Sequence, residues 1–259
     1  MRICSRIRDP RVAFFENDQD IAYFKKIPES LPENLTRIEK VSRDELWAFA
    51  LRDIIAAIFT QPRYPKYYPD TVVPEYSCVM HAKYELVQQV AMENAFRNRY
   101  IASLDIGLFR DMSDNGSAFT MHLPSYFDDA KVAYTEVTAR LSSLAKKCIF
   151  KHCINWLCGC FFLALRSVMH RWVNEYMHAT DTFVQRIYMC SDQQVLYAMA
   201  NGKAKYSVVA IQTYKGDGKH DKWFALCAAR ATNMILCARN KYDIVTDGKH
   251  QSVWHCRRE

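Results

Sequence analysis

Glycine is scarce in this chain, with seven residues among 259. That scarcity excludes collagen-like and low-complexity architectures, and neither a GxGxxG fingerprint nor a Walker phosphate loop is present. Cysteine is plentiful at ten, but the CxxC knuckles of common zinc sites are missing. Cys148, Cys153, Cys158 and Cys160 are separated by four, four and one residues. The chain is too long for a small disulfide scaffold, and the cysteines read as small buried thiols. Cys158 and Cys160, two apart in an apparent strand, point to one face. Long apolar runs are also lacking. The most apolar stretch, Cys153 to Leu165, is shorter than the ~20 residues a spanning helix needs. The opening "MRICSRIRDPRVAFFEN" has no apolar core behind its basic residues and does not read as a signal peptide. Localisation stays open, with the secretory pathway expected if a longer N-terminus exists.

Acidic residues are locally absent. The net charge is only +7, but no acid lies between Glu136 and Glu175, nor between Asp192 and Asp217. Arg140, Lys146, Lys147, Lys151, Arg166 and Arg171 occupy the first interval. A local positive field suits an anionic small molecule or nucleic acid; solvated lysines on helix faces explain the same pattern. No nucleic-acid motif accompanies the charge or the fifteen tyrosines, and no nucleic-acid partner is expected.

Half of the residues are apolar, enough for a sizeable core. Arg11–Asn17 and Leu35–Val41 read as short strands. Ser42 and Glu45, with Val41 and Leu46 as a hydrophobic staple, predict a capped helix continuing through Phe59. Four prolines (Pro62, Pro65, Pro69, Pro74) break the next segment, whose gaps are filled by tyrosines and basic residues. An ordered loop of this length is either functional or a stiff surface connection. A second helix is expected from Tyr76 to about Phe96. Lys83 falls within its apolar face, to snorkel toward water or to point at an anion; snorkelling is the simpler reading. Strands are expected at Tyr100–Leu104, Ser117–Leu123, Ile154–Leu165 and Tyr206–Tyr214. Helices are expected from Leu165, over Ser191–Met199 and from Lys222, and the stretch before Ile154 reads as helix-prone. Strands alternating with helices predict one α/β domain over residues 1–259 with a mostly parallel central sheet flanked by helices.

In such sheets ligands bind beyond the carboxyl ends of the strands. Asp105 ends the strand "YIASL", and Gly107 would permit close backbone approach. A carboxylate there suits manganese or magnesium bridging a diphosphate; capping a turn is its plainer use. Asp111 and Asp114 do not stand at the two-residue step that would aim two carboxylates at one ion. In Ser191-Asp192-Gln193-Gln194, a capping box puts Asp192 in the first helical turn. The helix dipole favours its ionised form there. Such a carboxylate beside an amide could orient a sugar hydroxyl, although most first-turn acids only stabilise their helix.

"PRVAFFENDQDIAYFKKI", "VSRDELWAFAL", "VVPEYSCVMHAKYELV", "NRYIASLDIGLFRD", "LCGCFF" and "SDQQVLYAM", in this order, resemble the HtrL/YibB family in its nematode-expanded form. The similarity runs from about residue 9 to 226; the segment 239–259 is atypical. The resemblance implies a glycosyltransferase of the nucleotide-diphospho-sugar type with a GT-A-like fold. A more distant likeness to glycogenin-like enzymes places Asp105-Ile106-Gly107 where those carry a metal-binding DxD strand. It places Asn155–Cys160 at their Asn-x-Gly strand, Asp192-Gln193 at their DQ motif, and Gly216 with Lys222-Trp223 at a late turn. The implied roles are Asp192 and Gln193 in catalysis, and Lys83, Asp105, Gly107, Arg110 and Gly159 in contact with the donor. Asp105 would hold manganese or magnesium, but glycine replaces the second DxD carboxylate. The first strand usual in that family is expected to be missing. The partners implied are a nucleotide sugar and an unknown acceptor. A degenerate relative that binds a glycan or a protein without catalysis is the alternative.

Overall fold

The computed structural model describes residues 7–26, 33–105, 120–124, 126–201, 208–215 and 226. Two sheets form. β1 (Arg11–Phe15) pairs in parallel with β2 (Thr36–Lys40), across α1 (Asp18–Lys25). The larger sheet has β3 (Tyr100–Leu104), β4 (Lys131–Glu136), β5 (Leu157–Leu165) and β6 (Ala210–Tyr214) in the order β3-β5-β4-β6.

The expected mostly parallel sheet is corrected to a mixed one. β5 runs antiparallel to both β3 and β4, and only β4 and β6 pair in parallel. A parallel return needs a crossover long enough to carry the chain back along the sheet. Between β4 and β5 the helix α5 (Lys146–Lys151) has six residues, about 9 Å of rise. β5 has nine residues, about 30 Å. That helix is too short to cover the strand by itself, and the connection 137–156 brings the chain back beside β4 in the opposite sense. The carboxyl ends of β3, β4 and β6 nevertheless share one edge, because each runs against β5. That edge is where β5 begins.

α4 (Pro74–Glu93), α6 (Arg166–Gln185) and α7 (Asp192–Ala200) cover one face of this sheet. α4 starts with Pro74 in its first turn and ends on Asn94 in the left-handed region, the punctuation expected of a helix. The main core lies beneath these helices, around Phe162, Trp172, Tyr176 and Tyr134. Ala133, Phe161 and Leu163 pack on the opposite face.

The strand β4 was not expected, since its segment reads as helix-prone. Val132 and Tyr134 face the main core, while Ala133 faces the other. The capped helix expected after Ser42 is also corrected. Ser42 makes no side-chain cap, and the chain forms a short 3-10 turn, then α2 (Trp47–Ala50) and α3 (Arg52–Phe59). Glu85 on α4 caps α2 instead, accepting from Trp47 N at 2.7 Å and Ala48 N at 3.1 Å. Of the expected strand Ser117–Leu123, residues 117–119 lie outside the described residues, and the rest is corrected: Met121 makes an isolated bridge and residues 120–123 form no strand. The helix start at Lys222 lies outside the described residues.

His81 sits fully buried between α4 and α6, with Nδ1 2.6 Å from Tyr176 Oη and Nε2 3.1 Å from Met189 Sδ. Burial pushes its pKa down to about 4 from 6.5. The unfolded chain therefore binds a proton in this interval that the folded chain refuses. The stability is complete above about pH 6.5 and is lost as pH falls toward about 4. Between about pH 7.5 and about pH 5 the loss is on the order of 2 kcal/mol. Urea unfolding should show this drop in the parent chain and a markedly smaller one in His81→Gln.

Candidate functional site

The site forms where β5 begins, beneath the N-terminus of α7. Gln194 Oε1 accepts from Ser191 N at 3.2 Å and Ser191 Oγ at 2.8 Å, completing the capping box expected from the sequence. The cap fixes Asp192 in the first turn of α7, where its side chain is 1% exposed. Lys83 reaches it from α4. The ammonium lies 2.5 Å from Asp192 Oδ2 and donates to the Gly159 carbonyl at 2.9 Å. The expectation that Lys83 snorkels to water is thus corrected: its ammonium turns to the buried carboxylate of Asp192 and to a backbone carbonyl.

Gly159 makes this geometry possible. A Cβ there would collide with Asp192 Oδ2 and stand 2.8 Å from Lys83 Nζ. Tyr84 Oη donates to Asp192 Oδ2 at 3.3 Å. Behind it, the Tyr84 and Tyr176 rings stack at 3.5 Å, and Trp172 Nε1 donates to Tyr134 Oη at 3.0 Å. Burial pushes the Tyr84 and Tyr176 phenols well up, so both stay protonated. At the start of α7, Asp192 Oδ1 and Gln193 Oε1 are among the buried polar atoms that have no hydrogen-bond partner among the described residues. Buried acceptors are normally satisfied, so these two await donors.

Asp105 is exposed at the end of β3, with its N–H donating to Cys160 O at 2.8 Å. It shares an electrostatic neighbourhood with Asp192. The Tyr76 phenol is raised chiefly by burial, then by the negative charges of Asp70, Asp192 and Asp105. Asp70 itself is raised by burial first, with Asp192 adding to the effect and hydrogen bonding with Ser191 opposing it. The structure thus brings Lys83, Asp105, Gly159, Asp192 and Gln193 to one sheet edge. Gly107 and Arg110 lie outside the described residues, as do Gly216 and Lys222-Trp223.

Sequence reasoning missed Asp70, Tyr76 and Tyr84. The available signal was the proline-rich loop itself. It runs directly into α4 and is anchored by Thr71, fully buried, whose Oγ1 donates to Pro65 O at 2.7 Å. Tyr64 tethers the same loop, with its Oη accepting from Met189 N at 2.9 Å. Those anchors hold Asp70 against Ser191.

No group of three or more His, Cys, Asp or Glu side chains able to hold a metal occurs among the described residues. Those residues do not build a metal centre around Asp105. No helix among them is long and apolar enough to cross a membrane.

Removing one partner of a buried ion pair strands the other charge. Lys83→Met is expected to cost roughly 3 kcal/mol, and Asp192→Asn added to it should recover part of that loss. Gly159→Ala is expected to cost roughly 1–3 kcal/mol, and less when Asp192 is also replaced by alanine. Urea unfolding of the single and double variants measures each cost. Additive costs for Gly159 and Asp192 would show that the two do not meet.

The family model described as "Bacterial protein of unknown function (HtrL_YibB)" matches residues 25–229, well over half of the chain. No curated protein and no solved structure matches it. The matched span includes Lys83, Asp105, Gly159, Asp192 and Gln193, and the chain belongs to the HtrL_YibB family.

Proposed function

We propose that the chain is a glycosyltransferase of GT-A type. It takes a sugar from a nucleotide-diphosphate donor and passes it to an acceptor hydroxyl. One observation carries the reading: Asp192 Oδ1 and Gln193 Oε1, on consecutive residues of the first turn of α7, are buried and without donors among the described residues. Sugar hydroxyls are donors, and a pyranose offers several at fixed spacing. Asp192 and Gln193 orient the transferred sugar, and Lys83 pairs with Asp192 beside it. Asp105, exposed at the same edge, lies on the side from which the diphosphate enters. Placement of the acceptor hydroxyl against the sugar then supplies the larger part of the rate.

The second reading is a relative that binds glycans without transfer. It is favoured by the commitment of Lys83 to Asp192 and to Gly159 O, which leaves little positive charge for a leaving diphosphate.

Titration calorimetry with UDP and a panel of UDP-sugars, with and without manganese, separates the two. Saturable binding of a UDP-sugar by the parent, weakened about tenfold in Gln193→Ala, is the expected result. Release of UDP in the presence of acceptor sugars should accompany it. Binding of free oligosaccharides, with none of any nucleotide sugar, would establish the second reading and end the first.

A further inference from the structure

The face of β5 opposite the ion pair carries a second cluster that the transferase reading does not use. Cys158 and Cys160 flank Gly159, and their sulfurs lie 2.8 Å apart. Both are free thiols, as are Cys78, Cys153 and Cys190, whereas Cys148 is disulfide-bonded. Cys158 is buried and Cys160 half-buried. A regular strand holds residues two apart at about 6.6 Å, close to the upper limit for a disulfide. β5 is irregular at this point. Between the pairs Tyr134–Phe162 and Glu136–Leu157, β4 advances by two residues while β5 advances by five. This bulge draws the two cysteines together on one side of the strand. The residue between them is glycine, which gives the intervening peptide freedom to fold into a tight ring.

The two thiols are not equivalent. Cys158 donates its hydrogen bond to Cys160 Sγ. That bond lowers the pKa of Cys160, while the same bond and burial raise that of Cys158. Cys160 is therefore both the more accessible sulfur and the better thiolate, and Cys158 stands behind it as a resolving thiol.

We propose that Cys158 and Cys160 form a redox-active dithiol that closes to a Cys-Gly-Cys disulfide by exchange with a small-molecule disulfide such as oxidised glutathione. The Cys160 thiolate attacks one sulfur of glutathione disulfide. A Cys160–glutathione bond forms and one glutathione thiolate leaves. Cys158 gives up its proton and displaces the second glutathione, closing the Cys158–Cys160 bond. Two protein thiols are oxidised, and one glutathione disulfide is reduced to two thiols. The ring encloses Gly159, whose carbonyl Lys83 grips, so the disulfide would form against the back of the Lys83–Asp192 pair. The inference does not rest on the transferase reading.

The test equilibrates the full chain in glutathione buffers from fully reduced to fully oxidised. It then quenches with acid, alkylates the free thiols in denaturant and digests with trypsin. The fragment His152–Arg166 contains Cys153, Cys158 and Cys160. In oxidising buffer it should lose the labels on Cys158 and Cys160, keep the label on Cys153, and weigh less by two hydrogen atoms. Cys158→Ser should trap glutathione on Cys160, and Cys160→Ser should trap none on Cys158. Persistent labelling of both cysteines of the parent at every glutathione ratio overturns the proposal. So does pairing of either with Cys153 or Cys190, or trapping of glutathione on Cys158. The parent chain alone decides the first two outcomes, so they hold even where a serine variant fails to fold.

Discussion

The ion pair between Lys83 and Asp192 is the constraint to which the surrounding structure conforms. A carboxylate 1% exposed is costly to bury without a partner, because desolvation costs several kcal/mol per charge. The partner must come from another element, since α7 presents only the first turn in which Asp192 sits. α4 supplies it, and does so only because β5 has no side chain at position 159. Three segments far apart in sequence are thereby fixed to one another: the capping box of α7, the lysine row of α4 and the glycine of β5. A buried pair of this kind adds little net stability compared with well-packed hydrocarbon. Its presence at a sheet edge, with an unpartnered oxygen on the acid, marks a place where a charge is wanted.

The aromatic layer behind the pair makes it rigid. Tyr84 stacks on Tyr176 and on Phe162, and Phe162 stacks on Tyr134. Trp172 meets Tyr134 edge-on. The rings come from α4, α6, β4 and β5, so each element is held to the next by flat, poorly compressible surfaces. Tyr84 also ends the layer with a hydroxyl on Asp192. The carboxylate therefore has its direction set from two sides, by an ammonium and by a phenol. A ligand bound to its free oxygen meets a preorganised group.

Local signals were legible where one element satisfies itself. The capping box at Ser191 and Gln194, the core strand at Leu157–Leu165 and the apolar stripe of α6 all form where the sequence places them. Failures occurred where a partner from elsewhere decides. Ser42 with Glu45 has the pattern of a capping box, but Glu85 supplies the cap. Lys83 on an apolar face reads as snorkelling until Asp192 is placed beside it. β4, rich in residues that also favour helices, is a strand because β5 and β6 flank it and a core lies on each face. Strand direction was the largest error. A connection such as 137–156 is long enough for either direction, so the alternation of element types does not decide it; the pairing of β5 with β3 and β4 does.

The supply of hydrogen-bond donors narrows what the site can accept. An ammonium has three protons, and two of those on Lys83 are committed to Asp192 and to Gly159 O. Around it stand the carboxylates Asp70, Asp105 and Asp192, all of which act on Tyr76. Acceptors thus exceed donors, and the space is negative. A bare diphosphate, which brings only further acceptors and charge, is poorly matched to the inner part. A polyol is better matched, since its hydroxyls can donate to such acceptors. On the transferase reading, a nucleotide sugar would enter with its sugar toward Asp192 and Gln193 and its phosphates outward.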